Sequence, residues 1–128
     1  MEKKITSIAG APRPTGPYSQ ALAVGDLLFI AGTLGVDPAT DQLVEGVEAQ
    51  TRLAMDNIVR VLEENGMTTR NIVKTNMFIK NMDHFPVINA AYAPYFPDGE
   101  YPVRTCVEIS KTPKDGLIEI ECIAMRLD

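Results

Sequence analysis

Two strand-like segments separated by a helix-like one constrain the fold of this chain most. Residues 71–81 alternate between polar and apolar side chains, which predicts a strand. Asp83 can cap a second helix over about 84–96, with Pro86 in its first turn. Residues 101–109 carry β-branched side chains at alternate positions and predict another strand. A helix between two strands makes a crossover, so we expect these strands to be parallel.

The rest of the chain predicts further strands and a longer helix. In chain order, we expect two short strands in 21–32 around Gly25-Asp26, a tight turn in 35–44 around Asp37-Pro38, a helix between Gly46 and Asn65, and, after the crossover, a turn at 112–116 and a strand over 117–127. The prediction is therefore one α+β domain, residues 1–128, with a single sheet that carries two helices on one face.

The last two predicted strands mix charged and apolar side chains on one face. The rows expected beneath the helices are Val103, Thr105, Val107 and Ile109, and Ile118, Ile120, Cys122 and Ala124. The opposite rows are Arg104, Cys106 and Glu108, and Leu117, Glu119, Glu121, Ile123 and Met125. Because large apolar side chains on an uncovered face suit water poorly, we expect another subunit there, and hence a homo-oligomer. Arg104 and Glu119 are then expected on neighbouring strands near that interface.

Arg104 and Glu119 also have a simpler interpretation. An arginine and a glutamate on paired strands most often form a cross-strand ion pair, and Glu121 is an equally good partner. Tyr18, within the proline-rich segment 11–20, is by default a packing residue. Spacing alone leaves these alternatives open.

Composition and motifs argue against several classes of function. The formal net charge is −5, and an acidic surface repels phosphate, so we expect no nucleic-acid partner. The N-terminus has no long apolar run, so we expect no membrane association and a cytoplasmic location with reduced thiols. Cys106 and Cys122 are more often core residues than nucleophiles. The single histidine, His84, has no apparent partner, and metal-binding and phosphate-loop motifs are lacking, so we expect no metal.

Five segments carry a resemblance to a known family: GPYSQA (16–21), FIAGTLGVDPAT (29–40), NIVKTNMFIKNMDHF (71–85), VINAAY (87–92) and PVRTCVEISKTPKDGLIEIECIA (102–124). The chain resembles the RidA (YjgF-type) family of reactive-intermediate deaminases over nearly its whole length. This implies a chorismate-mutase-like subunit with a mixed β-sheet, and a homotrimer with sites between subunits. It also implies hydrolysis of 2-iminobutanoate and 2-iminopropanoate to 2-keto acids and ammonia, without any cofactor.

The resemblance also implies roles for single residues. Arg104 is expected to bind the substrate carboxylate through its planar fork, with the amide N–H of Cys106 as a further donor. Glu119 is the candidate that orients the attacking water and handles its proton. Near a guanidinium, the Glu119 carboxylate is expected to stay ionised.

Other positions are carried over individually from the family pattern. Tyr18 corresponds to a tyrosine that closes over the pocket, Gly32 to a glycine whose backbone approaches the ligand, and Asn89 to an asparagine near the cleft. Many deaminating members have serine where this chain has Ala31, and Thr33 is a candidate replacement for that hydroxyl. This departure favours a second hypothesis, a regulatory protein that binds small carboxylates or keto acids without turnover. A third, a ribonuclease, is disfavoured by the acidic balance.

Overall fold

A six-stranded mixed sheet with both helices on one face forms the body of the molecule. The computed structural model describes residues 1–127. Its strands and helices are β1 Lys3–Thr6, β2 Ala21–Val24, β3 Leu27–Leu34, β4 Val36–Asp37, β5 Gln42–Leu43, α1 Val47–Glu64, β6 Ile72–Ile79, α2 Phe85–Tyr92, β7 Val103–Glu108 and β8 Ile118–Met125. The strand order is β1-β2-β3-β8-β6-β7, and β4 and β5 form a separate hairpin. The predicted α+β class with two helices and a mixed sheet is confirmed.

The predicted crossover is present, but its helix is shorter than expected. β6 and β7 are parallel and α2 lies between them in sequence. Short 3₁₀ turns at 82–84 and 93–95 flank α2. The prediction that Asp83 caps the helix was wrong: the N-cap position of α2 is His84, which makes no side-chain capping bond. The side-chain oxygen of Asn81 accepts the N–H of Asp83 at 2.9 Å and so caps the 3₁₀ turn that precedes α2.

The order of the last strands corrects the expectation that Arg104 and Glu119 lie on neighbouring strands. β6 separates β7 from β8: it pairs with β7 in parallel and with β8 in antiparallel fashion. The turn signal at 112–116 suggested a hairpin, but the connection passes the end of β6. β1 was not predicted at all, because the segment KKIT is short and charged and depends on pairing with β2.

The two faces of β7 are the reverse of the prediction. Arg104 lies opposite the fully buried Thr75 of β6, on the side of the sheet that faces α2. Val103, which was expected beneath the helices, is 68% exposed on the other side. β7 is the edge strand. The cover of the helices is incomplete at such an edge, so a long polar side chain can lie beneath α2 with its tip in a cleft.

The prediction for β8 is confirmed, because its buried row forms the centre of the core. Ile118 and Ile120 are fully buried and lie under α1, where Met55, Ile58 and Leu62 are also inaccessible. Burial of each such side chain contributes about 2 kcal/mol relative to exposure. This core fixes the twist of β8 and therefore the direction of its opposite row, which contains Glu119.

The sheet face without helices, called here the open face, exposes large apolar side chains. They include Leu27, Phe29, Val103, Val107 and Met125. Cross-strand register aligns them in rows, for example Leu22, Phe29 and Ile123. Charged side chains of the same face, among them Lys74 and Glu121, lie between these rows. Large exposed apolar side chains on a sheet face of this mixed kind are typical of a protein–protein interface. Among residues 1–127, no helix is long and apolar enough to cross a membrane.

Candidate active site

Arg104 forms the centre of a first cleft, called here the guanidinium half-site, together with Asn89, Tyr92 and Tyr101. Its Cζ lies 5.2 Å from the centroid of the Phe85 ring and 5.3 Å from that of Tyr92. Within residues 1–127, no carboxylate oxygen lies within 4.0 Å of the Arg104 guanidinium, whose Nη1 instead contacts the sulfur of Met77 at 3.8 Å. Stacking therefore orients the guanidinium while most of its five N–H donors stay available for an anion.

Two polar groups lie on the elements next to Arg104, one on α2 and one on β7 itself. The Oδ1 atom of Asn89 is buried and has no hydrogen-bond donor within residues 1–127, so this acceptor is left unsatisfied in the single chain. The N–H of Ile109 donates to Ile79 of β6 at 2.9 Å. By strand alternation, the N–H of Cys106 then points away from β6, to the free edge. Burial raises the pKa of the Cys106 thiol, which suits a pocket wall better than a nucleophile.

Glu119 lies in a second cleft, called here the carboxylate half-site, together with Tyr18, Ala31 and Gly32. The pairing of β3 with β8 is interrupted between Ile30 and Thr33, so β3 bulges next to the glutamate. A Cβ atom at Gly32 would lie only 2.6 Å from Oε1 of Glu119. The absence of a side chain at Gly32 therefore makes room for the Glu119 carboxylate.

Arg104 and Glu119 do not meet within one chain. Arg104 is opposite Thr75 on the helix-bearing face, whereas Glu119 is opposite Phe78 on the other face, with β6 between their strands. The cross-strand ion pair is thus ruled out within the chain. Glu121 does not pair with Arg104 either, since its Oε2 accepts the Nδ2–H of Asn76 at 3.1 Å.

The electrostatic environment of Glu119 also differs from the expectation. Burial raises the pKa of Glu119, and the charge of the neighbouring Glu121 raises it further. The expectation that a nearby guanidinium keeps this carboxylate ionised is therefore wrong for the single chain. A carboxyl group with a raised pKa is better suited to accept and return a proton.

The proline-rich segment 11–20 holds Tyr18 over the carboxylate half-site. Tyr18 is 50% exposed, and its hydroxyl accepts the N–H of Thr15 at 3.2 Å. The segment is anchored by the buried Gln20, which accepts the N–H of Ile8 at 2.8 Å and donates to the carbonyls of Ile8, Ala11 and Pro12 at 3.0–3.3 Å. Gln20 was not predicted, although a glutamine beside three prolines is a signal that backbone carbonyls need a donor.

Thr33 and Ala31 leave this half-site less polar than the family pattern implies. Thr33 lines the cleft, but its hydroxyl donates to the carbonyl of Ala31 at 2.8 Å. Its proton is therefore used within the backbone of β3. The aromatic side chains of Phe85, Tyr92 and Tyr101 near Arg104 were not predicted, because the face of β7 was assigned in reverse.

Comparisons with known proteins give a consistent result. The family model described as Endoribonuclease L-PSP matches residues 8–126. A RutC family protein of Synechocystis sp. is 44% identical over 127 residues, which is 98% of each chain. The 2-iminobutanoate/2-iminopropanoate deaminase of Salmonella typhimurium is 38% identical over 128 residues, covering 98% of this chain and 99% of the deaminase.

A solved structure agrees with the sequence relatives. Escherichia coli TdcF with bound serine superposes with a TM-score of 0.92 and 34% sequence identity, covering 97% of this chain and 99% of TdcF. The same α+β arrangement of sheet and helices therefore occurs in a structure that holds a small amino acid.

Proposed function

We propose that this chain, which belongs to the endoribonuclease L-PSP family, hydrolyses 2-imino acids. This family is the RidA (YjgF-type) family. The substrates are small compounds such as 2-iminobutanoate and 2-iminopropanoate, and the products are 2-keto acids and ammonia. The support comes from the two half-sites and from the deaminase relative with 38% identity. The reaction needs only water, and the proposed site uses neither metal nor organic cofactor.

The observation that carries the proposal is the separation of the two half-sites on opposite faces of one sheet. Each alone is incomplete: one offers donors for a carboxylate, and the other offers a carboxyl group that can handle a proton. We infer that a homotrimer forms through the open faces and brings Arg104 of one copy to Glu119 of the next. The exposed apolar rows of the open face supply the hydrophobic driving force for this assembly.

In this composite site each group has a defined task. Arg104 binds the substrate carboxylate in bidentate fashion, and the N–H of Cys106 and the amide of Asn89 fix the substrate's orientation. Glu119 orients a water molecule that attacks the imine carbon, and takes the proton that this water releases. Glu119 passes this proton to the imine nitrogen, which gives a carbinolamine. The C–N bond then breaks as the carbinolamine hydroxyl passes its own proton through Glu119 to the nitrogen, which leaves as ammonia and yields the keto acid. Tyr18 covers the site, and Gly32 allows the close approach of Glu119.

Arg104→Ala tests this function directly. A threonine dehydratase generates 2-iminobutanoate, and semicarbazide traps the imine that persists. We expect the wild-type protein to lower the trapped yield and Arg104→Ala to leave it unchanged, because the carboxylate anchor is gone. Arg70→Ala, which removes an exposed arginine elsewhere, is the matched control and should behave as wild type. Full activity of Arg104→Ala in an intact oligomer would refute the mechanism.

A binding protein of the same fold is the second candidate, and Ala31 favours it because a hydroxyl of the family pattern is lost there. The structural relative TdcF with bound serine supports small-ligand binding in this fold. The same trapping experiment separates the two candidates. A pure binding protein leaves the trapped yield unchanged in the wild type, and a 2-keto acid still protects it against thermal unfolding.

A further inference from the structure

Next to Glu119 lies a second glutamate to which the proposed mechanism gives no task. Glu121 follows Glu119 by two residues in β8, so both side chains project from the same face of the sheet. Both are half-buried. The spacing in a strand puts their Cβ atoms about 7 Å apart. At this distance two negative charges interact even when water screens them partly.

Glu121 is fixed in place by Asn76. These two residues are direct cross-strand partners, and the side-chain amide of Asn76 donates to Oε2 of Glu121 at 3.1 Å. No lysine or arginine within residues 1–127 lies within 4.0 Å of the Glu121 carboxylate, so its charge is not neutralised within the chain.

The other groups around Glu119 leave Glu121 as the charge that acts on it. β3 presents Gly32 and Leu34, and β6 presents Phe78, none of which titrates. Directly after β6, Lys80 bonds the carbonyl of Ser110 and pairs with Asp115 at 4.0 Å. The rim of the cleft carries the titratable residues Tyr18, Arg13, Lys114 and Asp41. Both rim cations pair with Asp41, at 3.8 Å and 3.3 Å. Lys74 lies beside Glu121 in the next cross-strand row, and its side chain is exposed.

We propose that Glu121, clamped by Asn76, is a positioning residue whose fixed negative charge sets the proton affinity of Glu119. The inference rests on the proposed function for the part that Glu119 plays in turnover. A higher proton affinity helps Glu119 to take the proton of the attacking water and keeps that proton available for the leaving nitrogen. Glu121 itself does not contact the substrate. The positive charge of Arg104 from a neighbouring copy lowers the proton affinity of Glu119. The balance of the two charges determines the pH at which Glu119 titrates.

Glu121→Gln tests this role, because glutamine keeps the acceptor for Asn76 and removes the charge. The measurement is kcat/KM for 2-iminobutanoate against pH, expressed as the ratio of variant to wild type so that titration of the substrate cancels. Glu119 then ionises at lower pH in the variant. We expect the ratio of variant to wild type to be about threefold higher at pH values below the pKa of Glu119 than at pH values above it. A threefold change corresponds to a water-screened interaction between unit charges about 7 Å apart.

Three variants control this experiment. Glu121→Asp keeps the charge and should give a ratio that does not change with pH. Glu64→Gln removes an exposed carboxylate at the far end of α1 and should also give a flat ratio. Glu121→Thr removes the charge with a good strand-forming residue, and carries the same test if Glu121→Gln does not assemble. A purely structural role of Glu121 predicts a ratio that is lowered equally at every pH, which would overturn the inference.

A second readout needs no turnover and separates this inference from the proposed function. Titration of the Glu119 side-chain carboxyl by ¹³C NMR, assigned with Glu119→Gln, should give a lower midpoint in Glu121→Gln than in wild type. If the wild type does not hydrolyse imines, the proposed function fails while this titration still decides the coupling. An unchanged midpoint would overturn the coupling whatever the activity.

Discussion

The Arg104 guanidinium stacks against aromatic rings and has no carboxylate partner within residues 1–127, and this arrangement determines what it can bind. A paired guanidinium has already used its best donors, whereas a stacked one is oriented and still free to take a bidentate anion. The sequence identified the residue but placed it on the wrong face of β7. Alternation shows which residues share a face, but the packing of α2 against an edge strand decides which face is the inner one.

Gly32 gives a sharp test of the geometry around Glu119. In Gly32→Ala the new Cβ would lie 2.6 Å from Oε1 of Glu119, so the carboxylate must move. We expect kcat to fall at least about tenfold while KM changes less, because the carboxylate anchor is in the other half-site. Gly10→Ala is the matched control, since its Cβ would contact the flexible Arg60 side chain at 3.4 Å. Equal kinetics in Gly32→Ala and wild type would contradict the geometry.

The buried thiol of Cys122 is expected to make the stability of the protein depend on pH in the alkaline range. Burial raises the pKa of the Cys122 thiol from its ordinary value of 9.0 to about 12. Between these values the unfolded chain releases a proton that the folded chain keeps, so the free energy of unfolding falls as pH rises, by at most about 1.4 kcal/mol per pH unit. Urea unfolding from pH 8 to 11 should therefore show a shallower decline for Cys122→Ala than for wild type. Parallel declines would show that this thiol makes no contribution.

At the scale of elements, long segments with a periodic pattern were predictable, whereas the order of the strands in the sheet was not. The helix between Gly46 and Asn65 and the strand over 71–81 match α1 and β6 closely, because their burial patterns are regular. The insertion of β8 between β3 and β6 was missed, since a tight turn after β7 looks like a hairpin in sequence. Strand order is decided by which apolar faces the helices cover, a non-local property.

The segment that carries Tyr18 provides a prediction at this scale. Gln20→Ala removes the buried amide that binds three carbonyls and one N–H, so the segment should loosen from the sheet. We expect a loss of about 2 kcal/mol in the free energy of unfolding and faster hydrogen exchange in residues 8–18. Gln42→Ala, at an exposed position, should change neither quantity. Unchanged exchange in Gln20→Ala would show that other contacts hold the segment.

At the scale of the whole molecule, the open face and the two half-sites both favour the assembly of several copies of the chain. The sequence predicted an oligomer from apolar side chains on the uncovered face, and that face does expose Phe29, Val107 and Met125. The sequence could not show that the clefts around Arg104 and Glu119 lie on different faces of the sheet. That property emerges only when the direction of each side chain in β7 and β8 is known. Assembly and activity are therefore inseparable in the mechanism proposed for this protein.

Mixed oligomers of Arg104→Ala and Glu119→Gln test the composite site most directly. Each variant alone should be inactive. When equal amounts are unfolded and refolded together, half of the copies supply an intact Arg104 and half an intact Glu119, so about one quarter of the composite sites are complete. We predict recovery of about one quarter of wild-type activity after mixing. No recovery in mixed oligomers of wild-type size would contradict a site shared between copies.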